Sequence, residues 1–369
     1  MRRLGCVVLA ITGLATCATA LATDYRIETM ATGLEHPWSL AFLPGGGMLV
    51  TERAGRLRLI EADGTLREAP IPGVPEVFVG GQAGLFEVAL APDFAESRHL
   101  YLSYACGTLA ANTTCLDRAR FDGERLVERE TLFRAEPDKH GRSHFGGRLA
   151  FLPDDTLVLG LGDGFDYREQ AQNPGNHLGS LVRLNLDGSV PDDNPFVDDR
   201  EARPELYSLG HRNVQGIVFD ATRDELLSHE HGPRGGDELN RIEPGANYGW
   251  PLVTHGVDYT GALVTPFTEL PGYVSPLLHW TPSIAPAGMA LYDDERFPAW
   301  KGDLFVAALA ARQVRRLIRE DGEIVDQEVL FDELGERMRD VRGGPDGALY
   351  LVTDSEKGRV LRVMPATSP

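Results

Sequence analysis

The chain is poor in cysteine: four in 369 residues, of which Cys6 and Cys17 fall within the first 22. No Cys-x-x-Cys-His occurs, which excludes a covalently attached c-type haem. Any electrons handled here must therefore leave to an external acceptor. Long apolar runs are missing too. Cys6 to Leu14 is too short to cross a bilayer, so no transmembrane segment is expected. Basic residues are scarce, 36 Lys and Arg against 55 Asp and Glu, a formal net charge of −19. That balance disfavours nucleic acid and anionic membranes as partners. Helix-period stretches are almost absent, which argues against an α or α/β fold.

What the N-terminus has is a leader pattern. Arg2 and Arg3 precede the short apolar stretch, and Ala20-Leu21-Ala22 gives a small-x-small cleavage site. Residues 1–22 read as a signal peptide, and 23–369 as one exported domain, periplasmic or secreted. Lipid attachment at Cys17 is an alternative, although Leu14-Ala15-Thr16 only loosely resembles a lipobox. In an oxidising compartment Cys106 and Cys115 are expected to form a disulfide that staples one loop, with two free thiols as the alternative.

The remaining sequence is rich in turn formers, with 41 glycines and 24 prolines. Short β-branched runs lie between them. One phrase recurs: apolar residue, Pro, tight turn, strand. It appears as Leu43-Pro44-Gly45-Gly46-Gly47 before Met48 to Thr51, as Leu152-Pro153-Asp154-Asp155 before Thr156 to Gly160, and as Pro345-Asp346-Gly347 before Ala348 to Thr353. A looser copy, Ala91-Pro92-Asp93-Phe94, leads into Leu100 to Tyr104. Repeated hairpins without helices predict an all-β fold, a six-bladed β-propeller of four-stranded antiparallel blades, at about 58 residues per blade. Seven blades are the alternative. The first and last copies match, so the chain ends are expected to meet and close the ring.

Active sites of propellers form where blade loops converge, so polar residues in Gly-rich loops carry the interest. His144, in Ser143-His144-Phe145-Gly146-Gly147, has the residue type of a general base. Asp163, in Gly160-Leu161-Gly162-Asp163-Gly164, could orient it. Arg212 and Asn213, in Gly210-His211-Arg212-Asn213-Val214-Gln215-Gly216, suit a planar ligand bearing carboxylates. Arg337 and Arg339, at i and i+2, would share a strand face and extend an anion cradle. In His229-Glu230-His231-Gly232-Pro233-Arg234-Gly235-Gly236-Asp237-Glu238, two histidines at i and i+2 could bind a transition metal. Carbonyls around Gly232 and Pro233, with Asp237 and Glu238, suit calcium instead. Asn247 to Pro251 and His255 to Tyr259 form aromatic loops, either a sugar platform or propeller packing. Singly, each of these features is also compatible with turn chemistry or surface charge.

Together, Gly80-Gly81-Gln82-Ala83-Gly84-Leu85, the His144, Asp163 and Arg212 loops, His231 to Glu238, Asn247-Tyr248-Gly249-Trp250-Pro251 and Arg337-Met338-Arg339-Asp340 resemble the soluble glucose and aldose dehydrogenases that use pyrroloquinoline quinone (PQQ). The likeness covers nearly the whole exported chain, in order, and is strongest to the shorter, broad-specificity aldose branch. It implies oxidation of the C1 hydroxyl of aldose sugars to lactones by a monomer or homodimer. His144 would be the base, Asp163 would tune it, and Arg212 would stabilise charge on the quinone oxygen. Gln82, Asn213, Tyr259, Ser283, Arg337 and Arg339 would contact PQQ. The carbonyls of Gly232 and Pro233 would hold the Ca²⁺ that bridges to it, and Glu238 and Tyr248 would match a second, structural calcium site. One departure stands out: Ala310 occupies the position of the family's cofactor-binding Lys. Losing that charge-assisted hydrogen bond should weaken binding by about 1.5–3 kcal/mol. Arg312 lies two residues on, about 6.6 Å along a strand, and could compensate only with a shift of the loop. Two other classes compete: a metal-dependent propeller lactonase, which has no need of three convergent arginines, and a non-catalytic propeller that binds glycan or protein.

Overall fold

The computed structural model describes residues 24–366. The expected leader, its expected cleavage site and Cys17 lie outside the described residues. Six antiparallel sheets follow one another along the chain, at 37–60, 85–134, 146–209, 214–280, 286–330 and 338–365. The first strand of each sheet touches the first strands of the sheets before and after it, so six inner strands close a ring. This is a six-bladed β-propeller.

The recurring phrase is the turn between the inner and second strands. Gly45 and Gly46 have φ of 110° and 98°, Asp155 of 60° and Gly347 of 75°, the left-handed values such turns need. Each turn feeds a second strand that is buried along its whole length: Met48–Glu52, Thr156–Leu161 and Leu349–Thr353. Being covered on both faces, these strands read as continuous apolar runs rather than as an alternation. The ends meet as expected. Tyr25–Leu34 pairs antiparallel with Gly358–Pro365 and becomes the outer strand of the last blade.

The first blade departs from the four-strand expectation. It has three strands, and its outer edge is replaced by residues 66–71, which hold on through single bridges, Leu57 to Ile71 and Ile60 to Leu66. Pro70 and Pro72 flank Ile71 and lack the N–H that a continuous ladder requires.

Packing follows the ring. Each junction between neighbouring blades has its own apolar core, such as Leu57, Leu85, Leu100 and Phe121 between the first and second, and Phe305, Trp300, Leu349 and Leu361 between the fifth and sixth. The channel centre is ionic instead. Arg148 reaches Glu87 at 2.9 Å and Asp340 at 3.1 Å, with all three almost fully buried. Its Nη2 donates to the Arg339 carbonyl at 3.2 Å, and its guanidinium stacks 4.0 Å from the Trp38 ring. Residues from four inner strands are thus tied together beneath one face of the ring.

The disulfide forms between Cys106 and Cys115. Among the described residues no helix is long and apolar enough to cross a membrane.

Candidate active site

The site begins with a conformational demand. His144 has φ of 53°, and Gly146 and Gly147 follow at 69° and 106°. A side chain at 147 would meet the Phe86 ring within 3 Å, so only glycine lets this loop turn so tightly against the second blade. The Gln82 side-chain oxygen accepts from the His144 backbone N–H at 2.8 Å, and Asn213 Oδ1 accepts from Gly146 N at 3.1 Å. Two predicted ligand residues therefore also shape the His144 loop.

His144 Nδ1 donates to Asp163 Oδ1 at 2.6 Å, and both residues are buried. Asp163 also accepts from Phe165 N at 2.7 Å and from Trp250 Nε1 at 2.8 Å. Burial pushes Asp163 upward, but the bond and charge of His144, with Arg212, outweigh it and hold the carboxyl below its usual value. Burial pushes His144 down, against the pull of Asp163, and the Arg212 and Lys139 charges push the same way. The pair is therefore a neutral imidazole on a carboxylate. Nδ1 carries the proton, and Nε2 has no protein partner among the described residues, the arrangement of an oriented base.

Two clefts of about 300 Å³ each meet beside this pair. The inner one is lined by Gln82, Phe145, Asn213, His231, Tyr259, Arg337 and Arg339, and floored by Trp38 and Phe86. The outer one is walled by Phe165, Arg212, Pro233, Trp250 and Tyr259. His144 lies between their walls rather than lining either: its backbone N–H bonds Gln82 of the inner cleft, and its ring is 5.0 Å from Phe165 of the outer one. Tyr259 is shared by both clefts, is 58% exposed, and its ring lies 6.3 Å from Phe165.

The inner cleft is cationic. Arg337 and Arg339 both reach Asp354 Oδ2, at 3.1 and 3.3 Å, and His36 meets Oδ1 at 2.8 Å. One carboxylate thus serves two guanidiniums. Burial pushes Arg339 down to about 10, and the Arg148 and Arg337 charges add to this. The buried Nε atoms of Arg339 and Arg212 lack partners among the described residues. Buried, unpaired donors around a cleft fit an anionic, carboxylate-bearing ligand.

Not every expected residue reaches the cleft. The Ser283 hydroxyl donates to Asp237 Oδ2 at 2.6 Å, and the backbone N–H groups of Ile284 and Ala285 bond the same oxygen. Asp237 Oδ1 in turn accepts from Gly232 N at 2.9 Å. Ser283 and Asp237 therefore fix the 232–236 turn. The Gly232 carbonyl accepts from Arg212 Nη1 at 2.6 Å and keeps one lone pair. A cation at Gly232 and Pro233 would draw its other oxygens from water and from a ligand's carboxylate.

Glu238 lies opposite Glu230 in the strand register. Burial, then the Glu230 charge, pushes Glu238 well above its ordinary value, the condition a divalent cation relieves. The Tyr248 ring stacks on His211, which bonds Glu230 at 3.3 Å, so these residues share one neighbourhood. The alternative histidine pair does not converge. His229 packs on Gly216, with both ring nitrogens unpaired, while His231 turns its Nε2 to the Pro286 carbonyl at 2.7 Å. Among the described residues no cluster of three His, Cys, Asp or Glu side chains has metal-binding geometry.

Ala310 is exposed on a turn. Arg312 donates to the Gly335 carbonyl at 3.3 Å and does not line the inner cleft. Arg337 donates to the Leu309 carbonyl beside Ala310 at 3.3 Å, which puts a cation in contact with that turn.

Sequence reasoning missed Asp354, the bond from Trp250 to Asp163, and Trp38. A signal for Asp354 was present. In four blades a buried acid ends the second strand or follows it within two residues: Glu52, Asp163, Glu230 and Asp354. Each ties down donors of the loop face: Glu35 N, Phe165 N, Arg212 N and His36.

A propeller with a buried His–Asp pair beside a cationic cleft has the design of a face-loop enzyme. Residues 34–362 match the Glucose / Sorbosone dehydrogenase family model, and the chain belongs to that family. A solved glucose dehydrogenase is 46% identical, covers 91% of this chain and 99% of its own, and superposes with a TM-score of 0.89. The apo-form of the soluble aldose sugar dehydrogenase from Escherichia coli is 40% identical over 92% and 99% of the two chains, with a TM-score of 0.89. The PQQ-bound form of an aldose sugar dehydrogenase from Streptomyces coelicolor is 30% identical over 93% and 100%, with a TM-score of 0.73.

Proposed function

We propose that this protein is an exported aldose sugar dehydrogenase that uses PQQ and calcium and oxidises the C1 hydroxyl of aldoses to lactones. The observation that carries the reading is the buried His144–Asp163 pair packed between the walls of a cationic cleft and an aromatic-walled one. The cofactor is held by the cationic cleft together with the adjoining Arg212–Pro233 wall of the outer one, and the sugar enters through the outer cleft. His144 Nε2 takes the proton of the anomeric hydroxyl. Asp163 keeps Nδ1 protonated and stabilises the imidazolium that results. PQQ, when bound, supplies the two-electron acceptor for the C1 hydride. Arg212, held by the His231 and Gly232 carbonyls, offers N–H groups to the negative charge that develops there. Gln82, Asn213, Arg337 and Arg339 hold the ligand's oxygens, and the Gly232 and Pro233 carbonyls hold its calcium. Glu238 and Tyr248 belong to a second calcium site that steadies the fourth blade. Electrons then leave to an external acceptor.

The test is calorimetric titration of apoprotein with PQQ and Ca²⁺, followed by dye-linked oxidation of a panel of aldoses. Stoichiometric binding and turnover are expected. No binding at high micromolar PQQ refutes the reading and favours a non-catalytic propeller.

A further inference from the structure

Lys139 is 2% exposed and forms no ion pair among the described residues. Its surroundings are specific. Nζ donates to the Ser143 carbonyl at 3.0 Å and to Asn112 Oδ1 at 3.1 Å. It also lies 3.4 Å from the centroid of the Phe145 ring. Its Cδ would be 2.5 Å from any Cβ placed on Gly164, so the absence of a side chain there makes room for the lysine stem. Ser143 and Phe145 flank His144, and Gly164 follows Asp163. One buried ammonium therefore braces the residues next to both members of the pair.

Lys139 is itself anchored. Its backbone exchanges two 2.8 Å hydrogen bonds with Asn112. Asn112 sits within the hairpin that the Cys106–Cys115 disulfide closes.

A buried ammonium is costly to keep, and apolar residues of similar volume usually hold a loop as well or better. Its retention calls for a use of the charge. We propose that Lys139 is a positioning residue of the reaction: it fixes the left-handed His144 loop, and its charge adds to burial in favouring the neutral imidazole that accepts a proton. This rests on the dehydrogenase reading above. Four charged or titratable groups face His144: Asp163, Arg212, Lys139 and His231. Lys139 itself faces Asp163 and Asp166, and burial pushes it down to about 8.

The sign is fixed by these neighbours. The Lys139 charge pushes His144 down, so its removal lets His144 rise and moves the acid limb of kcat/KM to higher pH. The test uses Lys139→Met, which removes charge and donors; Lys139→Gln, which removes the charge but can still donate to Ser143 and Asn112; and Lys139→Arg, which keeps the charge. In the PQQ- and calcium-loaded enzyme, K139M should lose about tenfold in kcat, through a loosened base, with KM little changed. K139M and K139Q should both raise the acid limb by about half a unit or more. K139R should keep the wild-type limb. An imidazole NMR titration of the apoprotein, with His144 assigned from the His144→Gln spectrum, reads the same shift without cofactor. It stays informative even if the wild-type protein fails to bind PQQ, an outcome that refutes only the dehydrogenase reading. A fall in Tm with no movement of the limb or the titration in either neutral variant overturns the proposal. So does a K139R limb displaced as far as theirs.

Discussion

Asp163→Asn gives a sharp test of the His144–Asp163 pair. Asp163 accepts three donors: His144 Nδ1 and Phe165 N on Oδ1, and Trp250 Nε1 on Oδ2. Asn has one carbonyl oxygen, and it belongs at the two-donor side. The amide NH₂ then faces the Trp250 N–H, and two buried donors lose their acceptor, at about 1–3 kcal/mol each in stability. His144 keeps its proton on Nδ1 but loses the carboxylate. A hydrogen bond to a charged group is worth about 1.5–3 kcal/mol against about 0.5–1.5 for a neutral one. The imidazolium formed in the reaction is therefore weakened by about 1–2 kcal/mol, roughly 5- to 30-fold in kcat. The pH dependence moves too. Asp163 pulls His144 up against burial, so D163N lets it fall further and the acid limb of kcat/KM shifts to lower pH, opposite to the shift expected for K139M. The assay is dye-linked turnover from pH 5 to 9 on cofactor-loaded protein. A kcat within twofold of wild type, or a limb displaced upward, refutes the reasoning. A loss as deep as that of His144→Ala would mean that the amide had turned toward His144 and reversed its tautomer.

Three further outcomes are expected. His144→Ala should lose about 10²–10⁴ in kcat and keep its PQQ affinity by calorimetry, because the inner cleft is walled by other residues. Arg148→Met takes one of two guanidiniums from Glu87 and Asp340 and leaves Arg342 paired with both, so it should cost about 1–3 kcal/mol by denaturant titration, and the double variant with Glu87→Gln should recover part of it. Asp354 is pushed up by burial but held well below the usual carboxylate range by Arg339, His36 and Arg337. Its contribution is complete above the ordinary Asp value near 4 and is lost only as pH falls through the depressed one; Asp354→Asn should lower Tm at neutral pH and flatten the acid side of Tm against pH.

The ring was legible because its signals are local. A turn with positive φ needs Gly, Asn or Asp at a fixed place, and a strand covered on both sides needs an unbroken apolar run. Leu152 to Gly160 and Pro345 to Thr353 display both. The outer edge of the first blade was not legible as an exception, since it depends on how few ladder bonds survive around Pro70 and Pro72. His144, Asp163 and Arg212 could be singled out because glycines mark loops where the backbone is held tightly. The pairing of His144 with Asp163 was expected as well; the further partners of Asp163 were not. That Asp163 serves Trp250 as well as His144 depends on two loops 87 residues apart meeting at 2.8 Å.

Ser283 shows why a residue's neighbourhood in sequence is a weaker guide than its partner in space. Pro282-Ser283-Ile284-Ala285-Pro286 borders the inner cleft through Ala285, so a hydroxyl there looks like a ligand contact. The buried carboxylate of Asp237 needs donors more urgently, and the serine hydroxyl joins the Gly232, Ile284 and Ala285 N–H groups in supplying them. Lys139 is the converse. Read in sequence, between Asp138 and His140, it is one charge among others on a polar loop. In the fold it alone of the chain's three lysines is withdrawn from water, because the disulfide-closed hairpin, the Phe145 ring and the bare backbone at Gly164 enclose it. Burial of a charge is a property of the assembled ring, so sequence can nominate the base, whereas only the structure reveals the cation that braces it.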